Sequence, residues 1–166
     1  SVKDSCPSYY ASDLFINGKR VENNLDIPDG VSSIPVYAFY NCNDVTSISL
    51  PKTVKKIGEG AFEFARNNKL KTISINSDYE KEKHNYSGQN QVFKNVYINQ
   101  VNIGADVQNI KSLEDINVKN SYNVDSLNHA FSDDNDILYN YNKTQLMKIP
   151  IEKSGEIIIP DSTETV

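Results

Sequence analysis

The residues of this chain whose types could carry chemistry are few, and their spacing argues against a catalytic or metal centre. There are two histidines. His84 sits in the charged stretch Asp78 to His84, and His129 stands beside Ala130-Phe131. Neither belongs to a zinc-ligand or catalytic-triad pattern, so His84 is expected to be exposed and inert, and His129 partly buried and structural. The two cysteines, Cys6 and Cys42, form no C-x-x-C motif and support neither zinc nor dithiol redox chemistry. Whether they pair depends on a distance that sequence leaves open. The run Asp133-Asp134-Asn135-Asp136 offers carboxylates, but a calcium loop needs alternating oxygen ligands, a turn glycine and a distal glutamate, and here Ile137 and Leu138 intrude. A solvated turn is expected instead. Two sequons, Asn85-Tyr86-Ser87 and Asn142-Lys143-Thr144, are matched by the asparagine-rich composition. No nucleophile–base pair, metal motif or phosphate loop is present, so the chain is expected to be no enzyme and to take no cofactor.

What positions these residues is a repeat. Ile27-Pro28 recurs as Leu50-Pro51, Val31 as Val54, Ile34 as Ile57 and Ala38-Phe39 as Ala61-Phe62, each displaced by 23 residues. A period of this size belongs to solenoids, whose units bury their apolar faces only by stacking on one another. Val45-x-x-Ile48-x-Leu50 and Leu70-x-x-Ile73-x-Ile75 have the spacing of a short strand entered through a bend, the last two residues pointing one way. Stacked strands predict a parallel sheet with a column of Ile, Leu and Val inside. The Ala-Phe pairs would fill the opposite side of the coil. Residues left on the outer sheet face are Thr46, Ser47 and Ser49, then Lys71, Thr72 and Ser74.

A third copy is shortened. Ile103-x-x-x-Val107-x-x-Ile110 matches Ile27, Val31 and Ile34, and Leu113-x-x-Ile116-x-Val118 matches the strand, which would turn Glu114, Asp115 and Asn117 outward. A fourth copy begins at Ile159-Pro160-Asp161. Asn17-Gly18 is a type I′ turn dipeptide after Leu14-Phe15-Ile16, and residues 137–149 read as a second hairpin with its turn over Asn140 to Lys143. Asn76 to Asn90 is polar and reads as an insertion, a surface loop with a short helix over Asp78 to His84.

These residues resemble the BspA-like leucine-rich repeat family. Val54-Lys55-Lys56-Ile57-Gly58-Glu59-Gly60-Ala61-Phe62 follows its repeat closely, and Ala38-Phe39-Tyr40-Asn41-Cys42 supplies its cysteine. Ala65 stands where the second copy should have Cys. Tyr9 to Val21 is similar to the family's hairpin insert, and Asp136-Ile137-Leu138-Tyr139-Asn140 with Thr144-Gln145-Leu146 to another. The resemblance implies a β-rich solenoid of the α/β leucine-rich repeat type, a right-handed coil of ~23-residue repeats with a parallel sheet on one face and inserted β-hairpins. It also implies that Cys42 is a buried packing site. The expected organisation is a single unit over 1–166: a hairpin insert at 9–24, two regular repeats at 25–75, an insertion loop at 76–96, a shortened repeat at 97–120, a hairpin segment at 121–156 and the start of another repeat at 157–166.

The formal charge of −5 gives no basic footprint for nucleic acid. No apolar run is long enough to insert in a membrane as a helix, and the first residues lack a signal peptide's regions. Both ends fall inside repeats, so the chain is expected to belong to a larger protein. The resemblance implies a binding module at the cell surface or outside the cell, adhering to extracellular or host proteins of a bacterial or protist source. Its expected contact residues are Thr46, Ser47, Ser49, Lys71, Thr72, Ser74, Glu114, Asp115 and Asn117, with Tyr37, Tyr40 and Phe64 as a rival convex patch. The alternative is a structural spacer holding a wall-anchoring or hydrolase domain away from the cell. Ile157, Ile158 and Ile159 would form an unpaired edge through which copies associate end to end.

Overall fold

The computed structural model describes residues 15–16, 18–42, 44–64, 69–83 and 91–166. Cys6, Asn17, Ala65, His84 and the sequon at Asn85 lie outside these. In chain order the strands are β1 (Phe15–Ile16), β2 (Lys19–Arg20), β3 (Asn24–Asp26), β4 (Ser33–Ile34), β5 (Ser47–Leu50), β6 (Lys56–Gly58), β7 (Thr72–Ser77), β8 (Glu80–Glu82), β9 (Tyr97–Asp106), β10 (Asn117–Val124), β11 (Phe131–Asp134), β12 (Ile137–Asn140) and β13 (Leu146–Lys148). The one helix among the described residues is a 3-10 turn, Ile110–Leu113.

The chain is a β-solenoid of about four turns. Its principal sheet has five parallel strands in the order β10-β9-β7-β5-β3, and a second parallel sheet, β4-β6-β8, lines another side of the coil. Strict alternation of buried and part-exposed residues along β5 and β7 shows why: each strand can bury one side only. Pairing places Leu25, Ile48, Ile73, Val101 and Tyr122 in one inward column and Leu50, Ile75, Ile103 and Val124 in the next. At the entry to β5 and β7, and within β9, one carbonyl accepts two successive amides. Asn23 receives Thr46 and Ser47 at 2.7 and 3.3 Å, and Lys71 receives Asn99 and Gln100 at 2.9 and 3.0 Å.

The Ala-Phe segments stack as the repeat requires. Phe62 lies between Phe39 and Phe93, with ring centroids 5.4 and 5.0 Å apart and planes within 11° and 9° of parallel. Beside it the chain turns through a left-handed residue. Gly60 adopts φ 64° there, and Tyr37, its counterpart one repeat earlier, adopts φ 57°. Gly58 is required for a different reason: a Cβ on it would lie 2.3 Å from the Val36 nitrogen in the preceding coil.

Three expectations need correction. Asn76 to Asn90 is no loop-and-helix insertion where it is described. Strand β8 pairs in parallel with β6, setting Lys81 opposite Ile57, and Val92-Phe93 occupies the place of Ala61-Phe62. Polar residues hid a strand of the second sheet, because backbone pairing does not depend on side-chain hydrophobicity. The strand expected at Leu113 to Val118 is instead Asn117–Val124, so the Ile48 column receives Tyr122 rather than Ile116. The cause is β9, whose ten residues draw β10 along its length. Ile157–Ile159 is exposed but forms no strand.

The hairpins form where the turn residues direct. In β11–β12 the register pairs Asp134 with Ile137, and Asn135 and Asp136 take positive φ of 47° and 69°, as a two-residue type I′ turn needs. β12 pairs with β13 through the turn after Asn140. Cys42 is buried as the resemblance implied, but it is also disulfide-bonded, so it is more than a packing residue. No helix among the described residues is long and apolar enough to cross a membrane.

The stack of rings yields a test. Phe62→Ala should lower unfolding free energy by about 3–5 kcal/mol, the usual cost of emptying a buried aromatic site. Equilibrium urea denaturation measures this, and a loss below about 1 kcal/mol would show that the rings do not hold the coils together.

Candidate functional site

The open face of the principal sheet is the surface that the solenoid leaves for contact. Along it the outward positions run Asn24, Ser47, Thr72, Gln100 and Ser121 in one row and Asp26, Ser49, Ser74, Asn102 and Asn123 in the next. These rows are uncharged except at Asp26. Their centre is internally hydrogen-bonded: Asn102 Nδ2 donates to Ser74 Oγ at 3.0 Å and Gln100 Nε2 to Asn102 Oδ1 at 2.7 Å. Ser47 Oγ donates to Asn24 Oδ1 at 2.9 Å.

The structure brings seven of the nine expected residues onto or beside this face. Ser47, Ser49, Thr72 and Ser74 alternate with buried neighbours and point outward. Thr46 and Lys71 lie at the bends before β5 and β7, where Thr46 Oγ1 donates to the Asn23 carbonyl at 3.0 Å and Lys71 is exposed. Asn117 begins β10 and its Nδ2 donates to the Val96 carbonyl at 3.2 Å, which ties it to the neighbouring coil.

Glu114 and Asp115 are not outward strand residues. They follow the 3-10 turn, and Asp115 points into the coil, where its side chain is 10% exposed. There it accepts from Lys81 Nζ at 2.9 Å and from the Val92 amide at 2.9 Å, while Glu114 approaches the same ammonium at 3.8 Å. Lys81 occupies the column position that Ile57 fills one coil earlier. A charge at an apolar position persists only when a counter-charge accompanies it. Of the rival convex patch, Tyr37 and Phe64 are buried and Tyr40 is part-exposed.

This interior cluster was invisible as a sequence pattern. Lys81 and Asp115 are far apart along the chain, and only threading the polar stretch as a repeat, with Val92-Phe93 as its filling pair, would have placed Lys81 inside. Tyr79 joins the cluster by donating to the Ser112 carbonyl at 2.9 Å, and burial, reinforced by the carboxylates of Asp115, Asp78 and Glu114, pushes its phenol well above the ordinary range. Asp78 accepts from the amides of Gln108 and Asn109 and from Ser112 Oγ, fastening the 3-10 turn to β7 and β8. Lys148 of β13 donates to the Leu113 carbonyl at 3.3 Å, and burial lowers its ammonium's pKa against the opposing pull of Glu114 and Asp115.

The remaining chemically capable residues are engaged in structure. His129 is exposed rather than partly buried, with its ring edge-on to Tyr141 at 5.7 Å. In the acidic run, Asp133 accepts from the Val124 amide at 2.8 Å, Asp134 pairs with Lys143 at 2.7 Å and Asp136 with Lys153 at 2.8 Å. Among the described residues no group of three or more His, Cys, Asp or Glu side chains is placed to hold a metal ion.

A known repeat family agrees with this architecture. The profile of the BspA type leucine rich repeat region, in six copies, matches residues 11–137. A crystal structure of a leucine-rich repeat protein from Eubacterium ventriosum is similar at 24% identity and a TM-score of 0.47, over 86% of this chain. The chain spans 42% of that protein's length. No curated protein matches the chain.

Two outcomes follow from the interior cluster and the buried phenols. Asp115→Ala should cost about 3 kcal/mol, since it removes the 2.9 Å contact between the Lys81 ammonium and a carboxylate, shorter than the 3.8 Å one from Glu114, and orphans the Val92 amide. Lys81→Met strands the Asp115 carboxylate in turn, whereas Lys81→Met/Asp115→Asn removes both charges, keeps an acceptor for the Val92 amide and should cost distinctly less than either single change; urea denaturation of the three variants checks the order, and a double variant no more stable than the single ones would mean that the pair is not shielded. Burial pushes the Tyr122 phenol from its ordinary 10.0 up to about 12. Folding therefore holds a proton that the unfolded chain releases near pH 10, so this contribution is intact below pH 10 and is lost as pH rises toward 12. Melting temperature should fall over that window, less steeply in Tyr122→Phe, and equal slopes would contradict the assignment.

Proposed function

Since the chain belongs to the BspA-type leucine-rich repeat family, we infer that it is a non-catalytic binding module of a cell-surface or secreted protein, adhering to proteins of a host or neighbouring cell. Repeats of this family generally serve protein–protein interaction and are generally non-enzymatic. The observation that carries the reading is the division of labour along each strand. Inward residues hold the coil through the Ile48 and Leu50 columns, while Ser47, Ser49, Thr72 and Ser74 face solvent. Outward residues can therefore vary without cost to the core, which is the property a recognition surface needs.

Support for an extracellular setting comes from Cys42, which is disulfide-bonded, a state that persists in oxidising compartments. The spacer reading draws on one specific feature: the amide and hydroxyl network centred on Asn102 satisfies itself, as a passive rod requires.

A pair of bulky substitutions separates the two. The chain and its Ser49→Arg/Thr72→Arg variant would be titrated against immobilised extracellular-matrix and cell-surface proteins, with circular dichroism and melting temperature verifying the fold. Saturable binding by the chain, weakened at least about tenfold in the folded variant, is expected of a protein held on this face. Absence of binding by the intact chain would favour the spacer.

A further inference from the structure

The C-terminal ends of the sheet strands differ from the face's centre. Residues at or just beyond the C-terminal ends of β3, β5, β7, β9 and β10 line one groove of about 460 Å³, including Asp29, Ser49, Lys52, Asn76, Asp106 and Asp125. Asp29 and Asp106 are exposed and their carboxylates make neither a hydrogen bond nor an ion pair with the described chain, and the Asp125 carboxylate uses one oxygen, accepting from the Leu127 amide at 2.9 Å. Three aspartates and a single lysine, Lys52, thus line the groove. At the centre of the face, by contrast, Ser74, Gln100, Asn102 and Asn123 already bond to one another, and a ligand there would have to break those bonds first.

We propose that the groove is where the binding module seats a Lys- or Arg-bearing extended segment of a partner protein. The proposal rests on the binding-module reading and names its partner's chemistry. Charge complementarity selects a cationic occupant: unpaired carboxylates attract ammonium and guanidinium groups, raising association rate and setting register. Length selects a polypeptide. From β3 to β10 the sheet makes four strand-to-strand steps, about 19 Å at ~4.8 Å each, the reach of about six extended residues. The carboxylates are spread along the strand ends instead of converging on one point, which suits separate side chains better than one ion.

The test uses fluorescence anisotropy with a labelled twelve-residue Lys-Ser-Gly peptide and its Glu-for-Lys counterpart. Asp29→Asn/Asp106→Asn/Asp125→Asn keeps the shapes and removes the charges. A control, Glu22→Gln/Glu156→Gln/Asp161→Asn, changes net charge equally at exposed positions elsewhere. The cationic peptide should bind saturably, the groove variant should weaken it about tenfold and the control less than about twofold, while Lys52→Gln should tighten it. Equal weakening in groove variant and control, or equal binding of the two peptides, overturns the proposal. If a protein captured on the Arg-sensitive sheet face binds the groove variant unchanged, the groove assignment fails while the binding-module reading stands.

Discussion

Coil-to-coil backbone pairing is the constraint on which the rest of this molecule depends. A parallel strand cannot satisfy its own amides, so every strand of the principal sheet must find its acceptors on the coil before or after it. That requirement aligns the Ile and Leu columns, brings Phe39, Phe62 and Phe93 into one stack, and presses Gly58 against the backbone of Val36. It also reaches the turns. Tyr37 and Gly60 both enter left-handed backbone because the path from second sheet to ring stack is the same in each coil, although Tyr gains nothing from that conformation.

Between strands the constraint relaxes. Ser47 lies opposite Asn24, Thr72 opposite Ser47 and Gln100 opposite Thr72, so successive coils differ in length while the columns stay aligned. Loop closure entropy grows slowly with length, so extra residues in a connection cost little. A change of character inside the coil is different. Lys81 in the column of Ile57 brings a charge into the interior, and Asp115, Glu114 and the 3-10 turn are arranged around it. The accessory sheet β11–β13 packs against this same irregular region through Lys148. Departure from the repeat is thus compensated locally, by polar partners contributed from the next coil.

Inside and outside are chemically decoupled by the strand's period of two. The core uses half of each strand, and the other half is free to carry whatever a partner demands. On the open face the centre is closed upon itself through Asn102, and free charge collects at the strand ends. Disulfide bonding at Cys42 adds a covalent tie to the first coil, where the hydrophobic stack begins.

The sequence by itself determined the solenoid: Ile27-Pro28 with Leu50-Pro51, Ala38-Phe39 with Ala61-Phe62 and the turn at Asn135-Asp136 each state a local geometry in residue types. Strand positions at Ser47–Leu50 and Thr72–Ser77 and the outward set on them were readable for the same reason, since alternation is local. Tertiary structure alone decided the strand at Glu80–Glu82, the register that puts Tyr122 rather than Ile116 in the Ile48 column, and the inward turn of Asp115. Each of these depends on a neighbour distant in sequence: β6 supplies acceptors to β8, β9 draws β10 along its length, and Lys81 demands a counter-ion. A pattern of residue types records what a segment prefers, whereas backbone pairing and charge compensation are set by what lies beside it.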